Sequence, residues 1–237
     1  MQKSKIEWTD YSINPVKGLC PVGCSYCYAR RMYKRFKWNE KITLTSRWDA
    51  GLEHIKPSRI FIGSTFELFG GFIPDEWLSD IFLKVKLYPW HTFIFLTKCP
   101  QNLPKKFPDH CWVGVSATNN FTYLGDLKNV DAKVKFVSFE PLLKWDMDLI
   151  YQRVIFPKII KDLGVNWIII GQCTPVKEST KPKIEWIKEI VEFADNANAK
   201  VFLKDNLIPM IDELPDNCFT KTLSGDMNLR QEYPELL

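Results

Sequence analysis

The chain has 237 residues, 46% of them hydrophobic and 25% charged, and carries a net charge of +4. That length is enough for one large domain or two small ones with a real core, and the composition is ordinary for a soluble globular protein. No apolar run reaches the roughly 18–20 residues of a membrane span, and the opening MQKSKIEWTD lacks the apolar stretch of a signal peptide; the mild basicity permits a nucleic-acid partner without requiring one.

A weakly apolar first strand is expected around 12–18 (SINPVKG). The stretch KGLCPVGCSYCYARR (17–31) follows, with Cys20, Cys24 and Cys27 close together ahead of a helix-like basic and aromatic segment. Continuous Ile-, Val- and Phe-rich runs then recur at 59–64, 91–97, 111–116, 133–139, 166–172 and 200–204. Such runs read as parallel strands buried on both faces. Helices are predicted between them at 74–88, where a Pro and two acids make a good start, at 145–164, kinked or split by Pro157, and at 183–198. Segments 100–110 and 118–128 have room for brief helices only. The alternation predicts an α/β fold with a parallel sheet. Its seven units suggest a partial, open βα barrel of six to seven strands with outer helices, forming a single domain over 1–237; a doubly wound open sheet is the alternative.

Polar residues mark the C-terminal ends of these strands: Glu67, Lys98, Ser116 and Thr118, Glu140, Gln172 and Cys173, and Lys204 and Asp205. Active sites of βα barrels are built from those ends, although polar residues also simply mark where strands stop. The chain has seven cysteines, an odd number, which argues against a fully paired disulfide framework and for a reducing, cytoplasmic setting. Cys20, Cys24 and Cys27 follow a Cys-x3-Cys-x2-Cys spacing. Three thiolates on one loop can each hold one iron of a [4Fe–4S] cube, where most clusters use four cysteines. A zinc site would need a fourth ligand, which no neighbouring Cys or His supplies. A Cys-x-x-Cys redox pair would leave Cys20 unexplained, and chance clustering of structural thiols is the remaining reading.

The stretch CPVGCSYCY (20–28), with Tyr26 just before the third cysteine, resembles the signature of the radical S-adenosylmethionine (SAM) superfamily. The likeness in fold covers nearly the whole chain. IEWTDYSINPVKGLC, FLTKCP, VGVSATN, VSFEPLL and VFLKDN resemble a phage-associated branch, distantly similar to spore photoproduct lyase. The resemblance implies that Cys20, Cys24 and Cys27 hold the cluster and that SAM chelates the fourth iron. It implies reductive cleavage of SAM to a 5′-deoxyadenosyl radical that abstracts hydrogen from a substrate, with an electron donor such as flavodoxin or ferredoxin. It also implies SAM contacts from Tyr26, Glu67, Ser116, Glu140 and Lys204, although the glycines of STFELFGG follow Glu67 where the superfamily has them precede the acid. Lys98, Glu140 and Cys173 are candidate catalytic groups, with Cys173 as a hydrogen-atom donor. Glu140, Lys98 and Lys204 read equally as rim ion-pair partners, and Cys173 as a soft residue filling a gap.

Little chain follows the last strand to form a lid, so a macromolecular substrate is expected to close the site. ARRMYKRFKW (29–38) interleaves Arg30, Arg31, Lys34, Arg35 and Lys37 with Tyr33, Phe36 and Trp38, a pattern that suits nucleic acid. On a helix Tyr33 and Phe36 share one face, so the other reading has them packed inward beneath a solvated basic face. A protein or peptide substrate is the alternative, and a non-catalytic iron-sulfur or zinc protein stays open.

Overall fold

The computed structural model describes residues 2–118, 122–145, 150–221 and 226–234. In chain order its strands and helices are β1 (Gln2–Lys3), β2 (Tyr11–Ile13), β3 (Val16–Lys17), α1 (Tyr28–Phe36), β4 (Thr43–Leu44), β5 (Arg59–Ile62), α2 (Asp75–Lys86), β6 (Thr92–Thr97), β7 (Cys111–Ser116), β8 (Val134–Phe139), α3 (Ile150–Asp162), β9 (Val165–Ile170), α4 (Ile184–Asn196), β10 (Lys200–Leu203), β11 (Phe219–Lys221) and β12 (Met227–Leu229). The fold is α/β. Eight strands hydrogen-bond in the order β1-β2-β5-β6-β7-β8-β9-β10. The pairs β2–β5, β5–β6, β8–β9 and β9–β10 are parallel, and β1 joins β2 antiparallel.

The expected first strand differs. Only Tyr11–Ile13 enters the large sheet, while Val16–Lys17 turns aside to pair antiparallel with Thr43–Leu44. Pro157 lies inside α3, which continues through it. The start of that helix, expected at 145, falls partly on 146–149, outside the described residues. The brief helices are 3₁₀ turns at Pro100–Asn102 and Thr122–Asn129. The described chain gathers its contacts into two compact units, Met1–Gly114 with Val130–Lys133, and Val115–Asn129 with Val134–Leu237. No helix among the described residues is long and apolar enough to cross a membrane.

In the first unit, α2 opens with Asp75 and Glu76 and closes with Lys84 and Lys86, each charge opposing the helix dipole end it sits on. Ile81 and Val85, four apart, share its buried face and pack with the Ile and Phe side chains of β5 and β6. Phe69, Phe82, Phe95 and Phe107 form a ring cluster with centroids 5.4–6.3 Å apart. Burying one such side chain contributes about 1.5–3 kcal/mol.

The β2–β5 pair is pinned at its start. Thr9 donates to the carbonyls of Tyr11 (2.9 Å) and Arg59 (3.0 Å), and Asp10 accepts the amide of Arg59 (2.8 Å) and its guanidinium (3.2 and 3.4 Å). Partial burial pushes the Asp10 carboxyl up, but hydrogen bonds and charge from Arg59 outweigh that and hold it below its ordinary value. A depressed carboxylate contributes stability above its ordinary value of about 4, and that contribution is lost as pH falls through the lowered folded value. Asp10→Asn is therefore expected to be less stable than the parent protein at neutral pH. In urea melts at stepped pH the two midpoints should converge below about pH 4. A gap that persists in acid would exclude this ion pair as its cause.

In the second unit, α4 buries Ile187, Ile190, Val191 and Ala194, the i, i+3, i+4, i+7 stripe of an amphipathic helix. Trp145, Phe156 and Phe193 pack against one another with centroids 5.2–6.0 Å apart, and Trp145 Nε1 donates to Glu189 at 2.9 Å. Phe136, Trp167 and Phe202 meet from strand to strand, tilted at 5.3 Å and edge-to-face at 6.2 Å.

Candidate functional site

The thiol loop lies between β3 and α1. Its entry needs glycine at position 18. There φ is +120°, and a Cβ would stand 2.7 Å from Ile42 Cα and from Lys41 O. The Gly18 amide donates to Tyr33 Oη at 2.8 Å and the Leu19 amide to Glu40 O at 3.0 Å, tying the loop to α1 and to the strand that follows. The loop then turns, with the Cys27 amide donating to Cys24 O (3.1 Å). Cys27 is the N-cap of α1, its Sγ accepting from the Arg30 amide at 3.4 Å. Helix N-termini present amides to anions, and the last cysteine of the motif occupies that position. Arg30 does not reach outward: its guanidinium donates to Cys20 O at 2.6 Å.

Cys20, Cys24 and Cys27 are all half-buried and line one hollow, with Arg30, Tyr33 and Thr65 among its walls. Among the described residues no group of three His, Cys, Asp or Glu converges to hold a single metal ion. A [4Fe–4S] cube asks for a different arrangement, one thiolate per iron around a volume. Three thiols around one hollow on a short loop fit that donor set.

Glu67 stands beside the loop. Its buried carboxylate accepts from Thr97 Oγ1 (2.6 Å), the Phe69 amide (3.0 Å) and the Lys98 amide (2.8 Å). Three of roughly four acceptor positions are thus engaged by the protein itself. Its backbone contributes differently. Burial pushes the Cys20 thiol up, while the amides of Glu67 and Val22, directed at the sulfur, pull it down. Thr97 Oγ1 also accepts the Cys99 amide at 2.8 Å. Cys99, half-buried, feels the charges of Glu67, Cys20 and Cys24; burial and those charges push its thiol up, and Lys98 opposes them. Its sequence position past a strand end was visible, but nothing in its spacing tied it to the thiol loop. Tyr26 and the Lys98 side chain are half-buried in the same unit.

Ser116, Glu140, Cys173 and Lys204 belong to the second unit. Ser116 ends β7 and is half-buried, and Cys173 is buried. Glu140 and Lys204 form an ion pair, its side chains 23% and 10% exposed. The parallel registers Phe139↔Ile170 and Ile170↔Leu203 put Glu140, Gly171 and Lys204 in one row across three strand ends. The pair spans the middle strand because position 171 has no side chain: a Cβ there would lie 3.0 Å from Lys204 Cδ and 3.3 Å from Glu140 Cγ. Gln172 and Asn206 hold the next step, Asn206 Nδ2 donating to Gln172 O at 2.8 Å and Gln172 Nε2 to Asn206 O. Both charges therefore have the ion-pair partner that the sequence offered as one reading.

The basic and aromatic segment departs from the inward-packing expectation. Tyr33 is buried, but Phe36 and Trp38 are 51% and 43% exposed. Thr118 is half-buried at the edge of the described residues, and Asp205 is exposed. No curated protein matches the chain. The model of the family described as "Protein of unknown function (DUF5131)" matches residues 3–208, and the chain belongs to that family.

Proposed function

We propose that the protein is a radical SAM enzyme of the cytoplasm, built on an open βα barrel, that modifies or repairs a macromolecular substrate, nucleic acid before protein or peptide. The observation that carries this reading is the lining of one hollow by Cys20, Cys24 and Cys27 at the N-terminus of α1. Those three residues would hold a [4Fe–4S] cluster. A cluster held there and reduced by a donor such as flavodoxin or ferredoxin would supply the electron for reductive cleavage of SAM to methionine and a 5′-deoxyadenosyl radical. The chain's own residues position and shield. Arg30 clamps the Cys20 carbonyl, Tyr33 ties Gly18, and Glu67 holds the turn whose amide faces Cys20. Ser116 and the Glu140–Lys204 pair are the polar groups proposed for SAM or substrate, Lys98 for a substrate or SAM anion, and Cys173 for hydrogen-atom return.

The test is anaerobic reconstitution with iron and sulfide, followed by dithionite and SAM. The expected products are 5′-deoxyadenosine and methionine, formed slowly even without substrate. S-adenosylhomocysteine as sole product would make the protein a methyltransferase and end this reading.

A further inference from the structure

Helix α1 ends in an unusual way. Lys37 caps it in the left-handed region, at φ 50° and ψ 43°, where glycine is the usual occupant. For a residue with a Cβ that conformation costs roughly 1–2 kcal/mol. The turn reverses the chain, and the Trp38 amide donates back to Tyr33 O at 3.3 Å. Trp38 is thereby laid beside the helix it has just left. Its ring stacks on Phe36 with centroids 5.5 Å apart and planes 21° from parallel, and meets the edge of Tyr33 at 5.3 Å and 86°. The Arg35 guanidinium lies 5.2 Å from the Phe36 centroid. Phe36 and Trp38 remain about half exposed despite packing on each other. Two large rings stacked on each other in solvent, beside a strained backbone turn, are not explained by core packing.

The charged residues near them in sequence are nearly all basic. Lys34, Arg35 and Lys37 are exposed, and Glu40 is the sole carboxylate between Tyr28 and Lys41. Cations beside a stacked aromatic surface match a polyanion that also carries flat rings. In a duplex those rings are already stacked on one another and hidden; in a single strand they are available. We infer that Phe36 and Trp38, with Lys34, Arg35 and Lys37, form a platform that takes an unpaired base of single-stranded nucleic acid while the cations follow its backbone.

Position gives the platform its use. Cys27 caps one end of α1 and the platform closes the other, so the nine residues between them put it roughly 13 Å along the helix from the thiol loop. Tyr33 touches both, lining the thiol hollow and meeting the edge of Trp38. A strand anchored on the platform reaches the loop within a few nucleotides. As the identity of the substrate, this inference rests on the radical reading; as a binding surface, it does not.

The experiment uses the full chain without cluster or SAM, so the outcome is independent of the radical chemistry. Fluorescence anisotropy is measured with a labelled oligothymidylate of about twelve nucleotides, a typical site size, and with the same strand in a duplex. The single strand is expected to bind more tightly than the duplex, with affinity falling steeply as salt rises. Phe36→Ala with Trp38→Ala should weaken it about tenfold or more, as loss of base stacking does. Phe36→Tyr with Trp38→Phe should restore most of that loss. Replacing Lys34, Arg35 and Lys37 by Gln should flatten the log–log salt slope by about 2. Since all five side chains are exposed, circular dichroism unchanged from the parent protein is expected for every variant. Equal binding of duplex and single strand, or a double Ala variant that binds as tightly as the parent, overturns the platform. Binding of an acidic peptide in preference to the oligonucleotide overturns it in favour of a protein partner.

Discussion

Cys20→Ala, Cys24→Ala and Cys27→Ala proteins are each expected to bind far less iron on anaerobic reconstitution and to form no detectable 5′-deoxyadenosine from SAM. The parent protein should hold about four irons, the content of one [4Fe–4S] cube. On the proposed cluster each substitution would leave one iron without a protein ligand, because a methyl group cannot replace a thiolate. Cys111→Ala and Cys218→Ala are the controls. Both residues are buried, and burial drives each thiol up to about 12; at Cys218, Arg230 pulls the other way and Asp195 adds to the rise. Such thiols stay protonated near neutrality and do not compete for iron. Cys99→Ala is the informative case, because Cys99 feels the charges of Cys20 and Cys24. Full iron content in that variant fits three protein ligands and an open iron. Stoichiometric zinc and no iron in anaerobically purified parent protein would falsify the cluster assignment.

The largest effect on stability is expected at Glu67. Glu67→Ala removes the acceptor for two amides and one hydroxyl in a buried place. Each donor left unsatisfied costs about 1–3 kcal/mol, so with three donors the loss should be roughly 3–9 kcal/mol. That is a large fraction of the 5–15 kcal/mol that holds a typical domain together. Glu67→Gln keeps a carbonyl oxygen and should lose less. Thr97→Val should lose about 1–2 kcal/mol, since Thr97 Oγ1 donates to Glu67 and accepts from Cys99. Urea unfolding, followed by tryptophan fluorescence, measures all three. If Glu67→Ala unfolds within 1 kcal/mol of the parent (the error typical of such extrapolations) yet cannot turn over SAM, the carboxylate is a ligand contact and not a structural strut.

Much of the architecture was legible in local pattern. The run read as a strand at 59–64 is β5, Arg59–Ile62, and the helix read at 183–198 is α4, Ile184–Asn196. Such elements announce themselves because burial on two faces or on one stripe leaves a period in the chain. The thiol motif was equally plain, since its spacing along one loop is covalent. What depends on register or on chain reversal was not legible. Val16–Lys17 left the main sheet for Thr43–Leu44 because short strands are placed by their partners more than by their own residues. Helical periodicity put Phe36 on the face of Tyr33, but it could not foresee the left-handed turn at Lys37 that brings Trp38 back to stack on Phe36 in solvent. The polar strand ends could be recognised singly; that Glu140 meets Lys204 across Gly171 follows from the pairing register of three strands. Cys99 shows the same limit. Its own residues say only that a strand has ended, and long-range burial of the surrounding core brings its thiol within reach of the charges on Cys20 and Cys24. The sequence by itself therefore determined the α/β class, the elements and the thiol triplet, all properties of neighbouring residues. Only the tertiary structure decided which distant side chains meet, because those meetings are set by register and core packing.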